Sequence, residues 1–403
     1  MRPYFWCLFL SGPVLAQSDC SNGRYTNYAY FDSVFITAGV LFGSNLGTTG
    51  TMQDLYMDVY EPQGDTASHR PVVLVGFGGS FIGGSRADVA DLCLAFARLG
   101  YVAVAFDYRV GFFWPTELTT TKAVMRCAHD LRGCVRYLRK TVVEEGDPYR
   151  VDTARIIIGG VSAGAIGALH AAYLDRPYEI PEVLWPDTAT LGGIEGTSGS
   201  PGYSSQALAC YSFSGALGDT SWIVAGDEPL CSVHETADEV VPCWTEEVEV
   251  IGIATGLMAS GSGDIHRRMD HQGVPNCLTI YPGNGHVGYL NYDAEASFDR
   301  VIQFLADAVC TGAEGCAPLF VGVESPPSFE ERPLLAPDPT TGVVALLNFP
   351  KGAVCVIDPR GAIVHRAVVE REREVIDLTA LPAGIYVVRH ETRRGISLPL
   401  VKL

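Results

Sequence analysis

Continuous apolar runs alternate with amphipathic segments along most of this 403-residue chain, and that alternation constrains the fold more than any other feature. Pro71–Gly76 (PVVLVG), Tyr101–Phe106 (YVAVAF) and Ile156–Gly160 (IIIGG) are apolar without a polar face, as expected of strands buried on both sides of a sheet. Between them, Arg86–Leu99 and Thr121–Val143 carry apolar residues at helical spacing, and Ala163–Leu174 continues the pattern. Leu208–Ser214, Leu230–His234 and Cys277–Tyr281 predict further buried strands, and Ala294–Val309 a closing helix. Strands separated by helices predict a mostly parallel sheet covered on both faces, an α/β fold. Tyr178–Ser205 interrupts the rhythm with Gly, Pro and Ser around Trp185 and Tyr203, which predicts a lid or binding insert.

The ends of the chain read differently. Met1–Ala16 (MRPYFWCLFLSGPVLA) has the form of a secretory signal peptide cleaved after Ala16, the competing reading being a buried N-terminal strand. No other run reaches the roughly 18 apolar residues of a membrane helix, so no membrane span is expected in the mature protein. Ala317–Pro339 is Pro-rich and predicts a linker over 317–336. Beyond it, short β-like runs separated by turns predict a small all-β sandwich over 337–403. A net charge of −18 without a basic run excludes nucleic acid as the expected partner. Cys310 and Cys316, and Cys231 and Cys243, bracket short loops and are candidate disulfide pairs; Cys127 and Cys134 are too far apart along one helix to bridge each other.

The chemistry gathers in three loops. Gly160-Val161-Ser162-Ala163-Gly164 lies between a buried strand and a helix, the setting in which a strained serine is raised above the sheet. A serine needs a base, and the base an orienting carboxylate. Asp238, in HETADEVVP, follows one later strand, and His286, in YPGNGHVGY, follows the next. Asp227, Glu235 and Glu239 compete with Asp238, while His234, His266 and His271 lack the glycine-bounded loop of His286. Phe77-Gly78-Gly79-Ser80-Phe81 follows the first buried strand, and paired glycines let backbone N–H groups approach an oxyanion. A phosphate cradle is disfavoured there, because no P-loop motif is present and a G-x-G-x-x-G pattern fails at Phe81.

With these residues in place, positions of about 50–310 resemble α/β-hydrolase carboxylesterases, closest to the hormone-sensitive-lipase-like branch and its feruloyl- and acetyl-esterase relatives. The matching stretches are FGGSFIGGS, Asp107-Tyr108-Arg109 and GVSAG. The resemblance implies an α/β-hydrolase domain over 17–316 and a Ser162–His286–Asp238 triad. It implies oxyanion donors on Gly79, Ser80 and Ala163, with Gly78 supporting the turn. It also implies an ester substrate, small or part of a plant polymer, and no metal or organic cofactor. Phe77 stands where that family usually has His, and Ser80 where it has a third Gly. A serine peptidase or polyester hydrolase on the same fold is the nearest alternative, and a non-catalytic binding protein on a hydrolase scaffold the more distant one. The tail resembles the C-terminal sorting domain of the type IX secretion system, through Pro337-Asp338-Pro339-Thr340, Asp358–Gly361 and Leu381–Tyr386. That resemblance implies the secretion machinery as a partner and export through periplasm and outer membrane. A carbohydrate-binding or adhesive β-sandwich is the alternative for the tail.

Overall fold

A computed structural model describes Cys20, residues 22–321 and, in the C-terminal part, 334–336, 340–347, 349–371, 373–392 and 397–403. The signal-peptide reading, the Pro337-Asp338-Pro339 turn and most of the expected linker lie outside the described residues. The chain divides into two units, Met1–Gly322 and Val323–Leu403.

The strands of the first unit follow in the order β1 (Val34–Leu46), β2 (Met52–Pro62), β3 (Arg70–Gly76), β4 (Val102–Phe106), β5 (Val151–Val161), β6 (Ala209–Phe213), β7 (Ala216–Leu217), β8 (Leu230–Glu235), β9 (Thr245–Val250), β10 (Ile253–Gly261), β11 (Asn276–Tyr281) and β12 (Leu319–Phe320). Nine of them form one sheet in the order β1-β2-β4-β3-β5-β6-β8-β11-β12. The β1–β2 and β2–β4 pairs are antiparallel, and every pair from β4 to β12 is parallel. Strands β3, β4, β6, β8 and β11 are buried along their whole length, which is why the sequence shows unbroken apolar runs there. In β2 only alternate residues are buried at first, Leu55, Met57 and Val59, as its period-two pattern requires.

The helices Ala90–Leu99, Glu117–Glu144, Ala163–Tyr173 and Ala294–Cys310 match the expected segments to within a turn. The second begins four residues before the expected start, because the Thr116 side chain caps it by accepting from the Thr119 N–H. The first ends at Gly100, whose φ of 107° makes glycine the residue that fits. The β9–β10 hairpin and the helix Ser262–Gln272 behind it escaped the sequence reading. Strand β12 also carries the first unit beyond residue 316, into the segment expected to be linker.

Neither expected disulfide forms. Cys310 bonds Cys20 and Cys316 bonds Cys277. The Cys316 N–H donates to Asn276 O at 2.9 Å, which sets that segment beside β11 and brings its sulfur to Cys277. Cys231 opens β8, whereas Cys243 follows Asp238 beyond the opposite end of that strand. At roughly 3.3 Å per residue a strand of that length holds the two ends too far apart to bridge. Cys127 and Cys134 are buried and pack, Cys134 against the Met57 sulfur.

The second unit is antiparallel throughout its strand pairs, with sheets Leu334–Ala336/Val343–Leu347/Arg373–Asp377 and Ile363–Val369/Gly352–Ile357/Gly384–His390/Ser397–Lys402. Its core comprises Val344, Leu346, Phe349, Val354, Val356, Ile376, Val388 and Leu400 among others. Phe349 and Tyr386, the aromatic residues of the tail, are both buried, so neither offers a ring for stacking on a sugar. The Asp358 side chain accepts from the Arg360 and Ala362 amides, and this closes the Asp358–Gly361 turn.

Candidate active site

Ser162 sits between β5 and the helix Ala163–Tyr173 at φ 54° and ψ −120°. That conformation is strained for a residue with a side chain, and it persists because the surroundings hold it from both sides. The Ser162 N–H donates to Phe213 O at 2.8 Å, and its carbonyl accepts from Ile166 N. The turn closes only because its neighbours are small. A Cβ on Gly164 would lie 2.2 Å from the Gly76 carbonyl carbon, and one on Gly160 would lie 2.5 Å from Gly76 O.

The two partners come from the loops after β8 and β11, with β6 lying between β5 and β8 in the sheet. His286 Nε2 is 2.8 Å from Ser162 Oγ, and His286 Nδ1 is 2.7 Å from Asp238 Oδ2. Asp238 Oδ1 accepts from the Val240 and Val241 amides, which fixes the carboxylate in the plane the imidazole needs. Burial opposes the charge on Asp238, but the His286 hydrogen bond, its charge and the two amides outweigh that cost and hold the carboxyl below its ordinary range. The buried His234 donates Nε2–H to Val241 O and accepts the Ser262 hydroxyl at Nδ1, and so supports the Asp238 loop from behind. Burial pushes its pKa down to about 4, so it is neutral near pH 7.

The competing acids and histidines have other tasks. Asp227 accepts from its own loop at Val224 N, and Glu239 accepts from the Asn284 amide, tying the acid loop to the histidine loop. His266 pairs with Asn276, and His271 lies in the last turn of the helix Ser262–Gln272. Glu235 receives the Gly288 N–H beside His286.

The third loop lies next to the serine. A Cβ on Gly78 would come 3.3 Å from Ser162 Cβ, and one on Gly79, at φ 118°, would come 2.4 Å from Gly83 O. Ser80 follows at φ 52°, a left-handed conformation at the position where the resembling family has glycine. Ala163 supplies the first amide of the helix after Ser162, one of the four that have no acceptor within a helix. The Gly78 backbone therefore lies against the Ser162 side chain, and the Ala163 amide follows it directly in the chain. Phe77 is buried, stacks on Tyr108, and takes the Tyr108 hydroxyl on its carbonyl at 2.8 Å. Asp107 and Arg109 anchor the same segment. Asp107 pairs with Arg86, and Arg109 forks onto the buried Asp130. Among the described residues no cluster of three His, Cys, Asp or Glu side chains is arranged to hold a metal ion.

A cavity of about 620 Å³ opens beside Ser162. Its walls come from Val124 and Met125, from Ile180, Pro181 and Trp185 of the insert, from Trp222, and from Val248, Val250 and Leu257 of the β9–β10 hairpin. The hairpin wall was not legible in the sequence, where Thr245–Gly261 mixes Glu and Gly without a sustained period. Only the first part of the Tyr178–Ser205 insert faces the cavity. The rest is strapped to the helix Glu117–Glu144, with Arg132 donating to Ile194 O and Arg136 to Gly199 O and Glu195.

The order of strands, the Ser-Asp-His order of the loops and the serine elbow before the third helix coincide in one framework. Residues 57–183 match the model of the BD-FAE family, a hydrolase family. The domain has an α/β-hydrolase-like fold. No curated protein matches the chain. Among solved structures, it is similar to Thermogutta terrifontis esterase 2 phosphoramylated by tabun, with 21% identity, coverage of 69% of this chain and 95% of that one, and a TM-score of 0.47. The same esterase phosphorylated by paraoxon gives 23% identity, 69% and 93% coverage, and a TM-score of 0.45. In its native form it gives 25% identity, 63% and 86% coverage, and a TM-score of 0.43.

Proposed function

We propose that this hydrolase is a serine carboxylesterase that works through an acyl-enzyme on Ser162. The observation that carries the reading is the unbroken chain Asp238–His286–Ser162, at 2.7 and 2.8 Å, ending beside a glycine turn. In this reading His286 takes the Ser162 proton as Oγ attacks the ester carbonyl, and then returns it to the leaving alcohol. Asp238 holds the imidazole with Nδ1–H toward itself and balances the imidazolium charge. The Gly79, Ser80 and Ala163 amides receive the developing oxyanion, and Gly78 shapes the turn beneath it. Water activated by His286 then releases the acid. The apolar walls of the cavity suit the acyl or alcohol part of an ester, and Arg176, Glu179, Glu182, Asp219 and Glu249 also line it.

The experiment is hydrolysis of p-nitrophenyl acetate, butyrate and octanoate, methyl ferulate and an acetylated sugar by the protein and by Ser162→Ala. Serine-dependent turnover of these esters is the expected result. Full turnover by folded Ser162→Ala overturns the assignment, and inactivity on every ester favours the peptidase or binding-scaffold alternative.

The proposal extends to export. The Met1–Ala16 pattern and the resemblance of the tail to type IX sorting domains support secretion through the periplasm and outer membrane, with the ester substrate met outside the cell. Fusion of residues 323–403 to a periplasmic reporter in a host with that secretion system tests it by the reporter's appearance at the cell surface.

A further inference from the structure

Glu235 ends β8, three residues before Asp238, and its side chain turns toward the loop that carries His286. It is 1% exposed, an unusual place for a carboxyl group without a cationic partner. Its Oε1 accepts the Gly288 N–H at 3.0 Å, while Oε2 is buried with no hydrogen-bond partner. The loop is moulded around Oε1. A Cβ on Gly285 would stand 2.9 Å from Oε1, and one on Gly288 would stand 3.0 Å from it. A side chain at Gly285 or Gly288 would therefore press on the end of the carboxylate below them, and Val287 between them holds φ 53°.

We propose that Glu235 is a positioning residue of the reaction: it anchors the Gly285–Gly288 loop from beneath and so sets the distance of His286 Nε2 from Ser162 Oγ. This rests on the triad reading above. The geometry gives the reason for the placement. His286 must swing a proton between Ser162 and a leaving group without losing either partner, so its loop is tied at several points, the Ala237 N–H donating to Gly283 O and the Gly283 N–H to Thr236 Oγ1. Asp238 restrains the ring through Nδ1, Asn284 ties one flank to Glu239, and Glu235 restrains the other flank through Gly288. The groups facing Glu235 are Asp238 on its own loop, His286 on the next, and Tyr289 and Tyr292 from the segment after it. Burial first, then the Asp238 charge, pushes the Glu235 carboxyl above its ordinary range, against the Gly288 and Val287 amides and the imidazole. A raised carboxyl keeps its carbonyl acceptor for Gly288 in either protonation state, so the anchor does not depend on charge.

The test compares Glu235→Ala, Glu235→Gln and Gly285→Ala in the full protein, with p-nitrophenyl butyrate as substrate. Glu235→Ala is expected to lower kcat by about 10- to 100-fold with KM changed less than twofold, since a displacement near 1 Å at a reacting group has effects of that size. Glu235→Gln retains an acceptor oxygen and is expected to recover most of the rate. Gly285→Ala is expected to lower kcat alone, and to have no further effect once Glu235 is Ala, because the space it would invade is then empty. A kcat for Glu235→Ala within twofold of the parent, or a Gln variant as slow as the Ala variant, overturns the proposal. So does an effect confined to KM. If Glu235→Ala does not fold, the Gln and Gly285→Ala variants carry the same comparison. Ser162→Ala is the control: activity surviving its removal fails the triad reading, whereas loss there with no effect at Glu235 fails this proposal alone.

Discussion

Tyr108 lies flat against Phe77, ring centroids 4.1 Å apart and planes inclined by 16°, and its hydroxyl returns to the Phe77 carbonyl at 2.8 Å. The pair fills the position where the resembling esterases keep a histidine ahead of their glycines. Stacking does there by dispersion and burial what a polar side chain would do by hydrogen bonding: it fixes the backbone immediately before Gly78. Gly84 confirms how tight the fit is, since a Cβ there would stand 2.7 Å from Phe77 Cδ2.

Tyr108→Phe leaves the stack and removes the hydroxyl, so the buried Phe77 carbonyl loses its partner. The expected loss is about 1–3 kcal/mol of stability, with a fall in kcat because the oxyanion turn begins at the next residue. Denaturant unfolding and ester kinetics on the same preparation check both parts.

Four of the buried histidines are held neutral: burial pushes His129 down to about 3, and His170, His234 and His266 to about 4. An unfolded histidine titrates near 6.5, so below that pH the unfolded chain binds protons that the folded chain refuses. Stability is therefore complete above about pH 6.5 and falls as the pH drops toward 4. Asp238 adds to the loss lower down, because its depressed carboxyl stabilises the fold only above the ordinary carboxylate pKa. A melting temperature that declines steadily from pH 7 to pH 4.5 is the expected result, and a flat profile would contradict it.

Cys20 and Cys310 join positions 290 apart in the chain. Replacing both by Ser should lower stability by about 2–5 kcal/mol, because the bridge restricts the unfolded chain over a very long loop. Peptide mapping without reduction should recover Cys20 linked to Cys310 and Cys277 linked to Cys316, and no Cys310–Cys316 peptide.

Gly164→Ala should yield little soluble protein. Its methyl group would overlap the Gly76 carbonyl carbon, where backbone meets backbone and neither side can rotate away. Expression yield and far-UV circular dichroism test this. Gly285→Ala, by contrast, should fold, since it meets only the end of the Glu235 side chain.

The elbow at Ser162, the loops of Asp238 and His286, and the glycine turn at Gly78-Gly79 could all be found in the sequence, because each is a local event. Unbroken apolar runs mark strands buried on two faces, and a small residue at a sharp turn is demanded by atoms a few bonds away. The sulfur pairs, the hairpin wall of the cavity and the seat of Glu235 beneath Gly288 could not. Each depends on which distant segments meet. Cys231 and Cys243 are near in sequence, yet β8 holds them at opposite ends, while Cys20 reaches Cys310 only once the sheet and its last helix have packed. Glu235 looks in the sequence like a rival to Asp238; strand direction decides that Asp238 faces the imidazole and Glu235 the loop above it. Local sterics set the elements and the order of the chemistry. Burial and long-range packing decide which of those side chains touch.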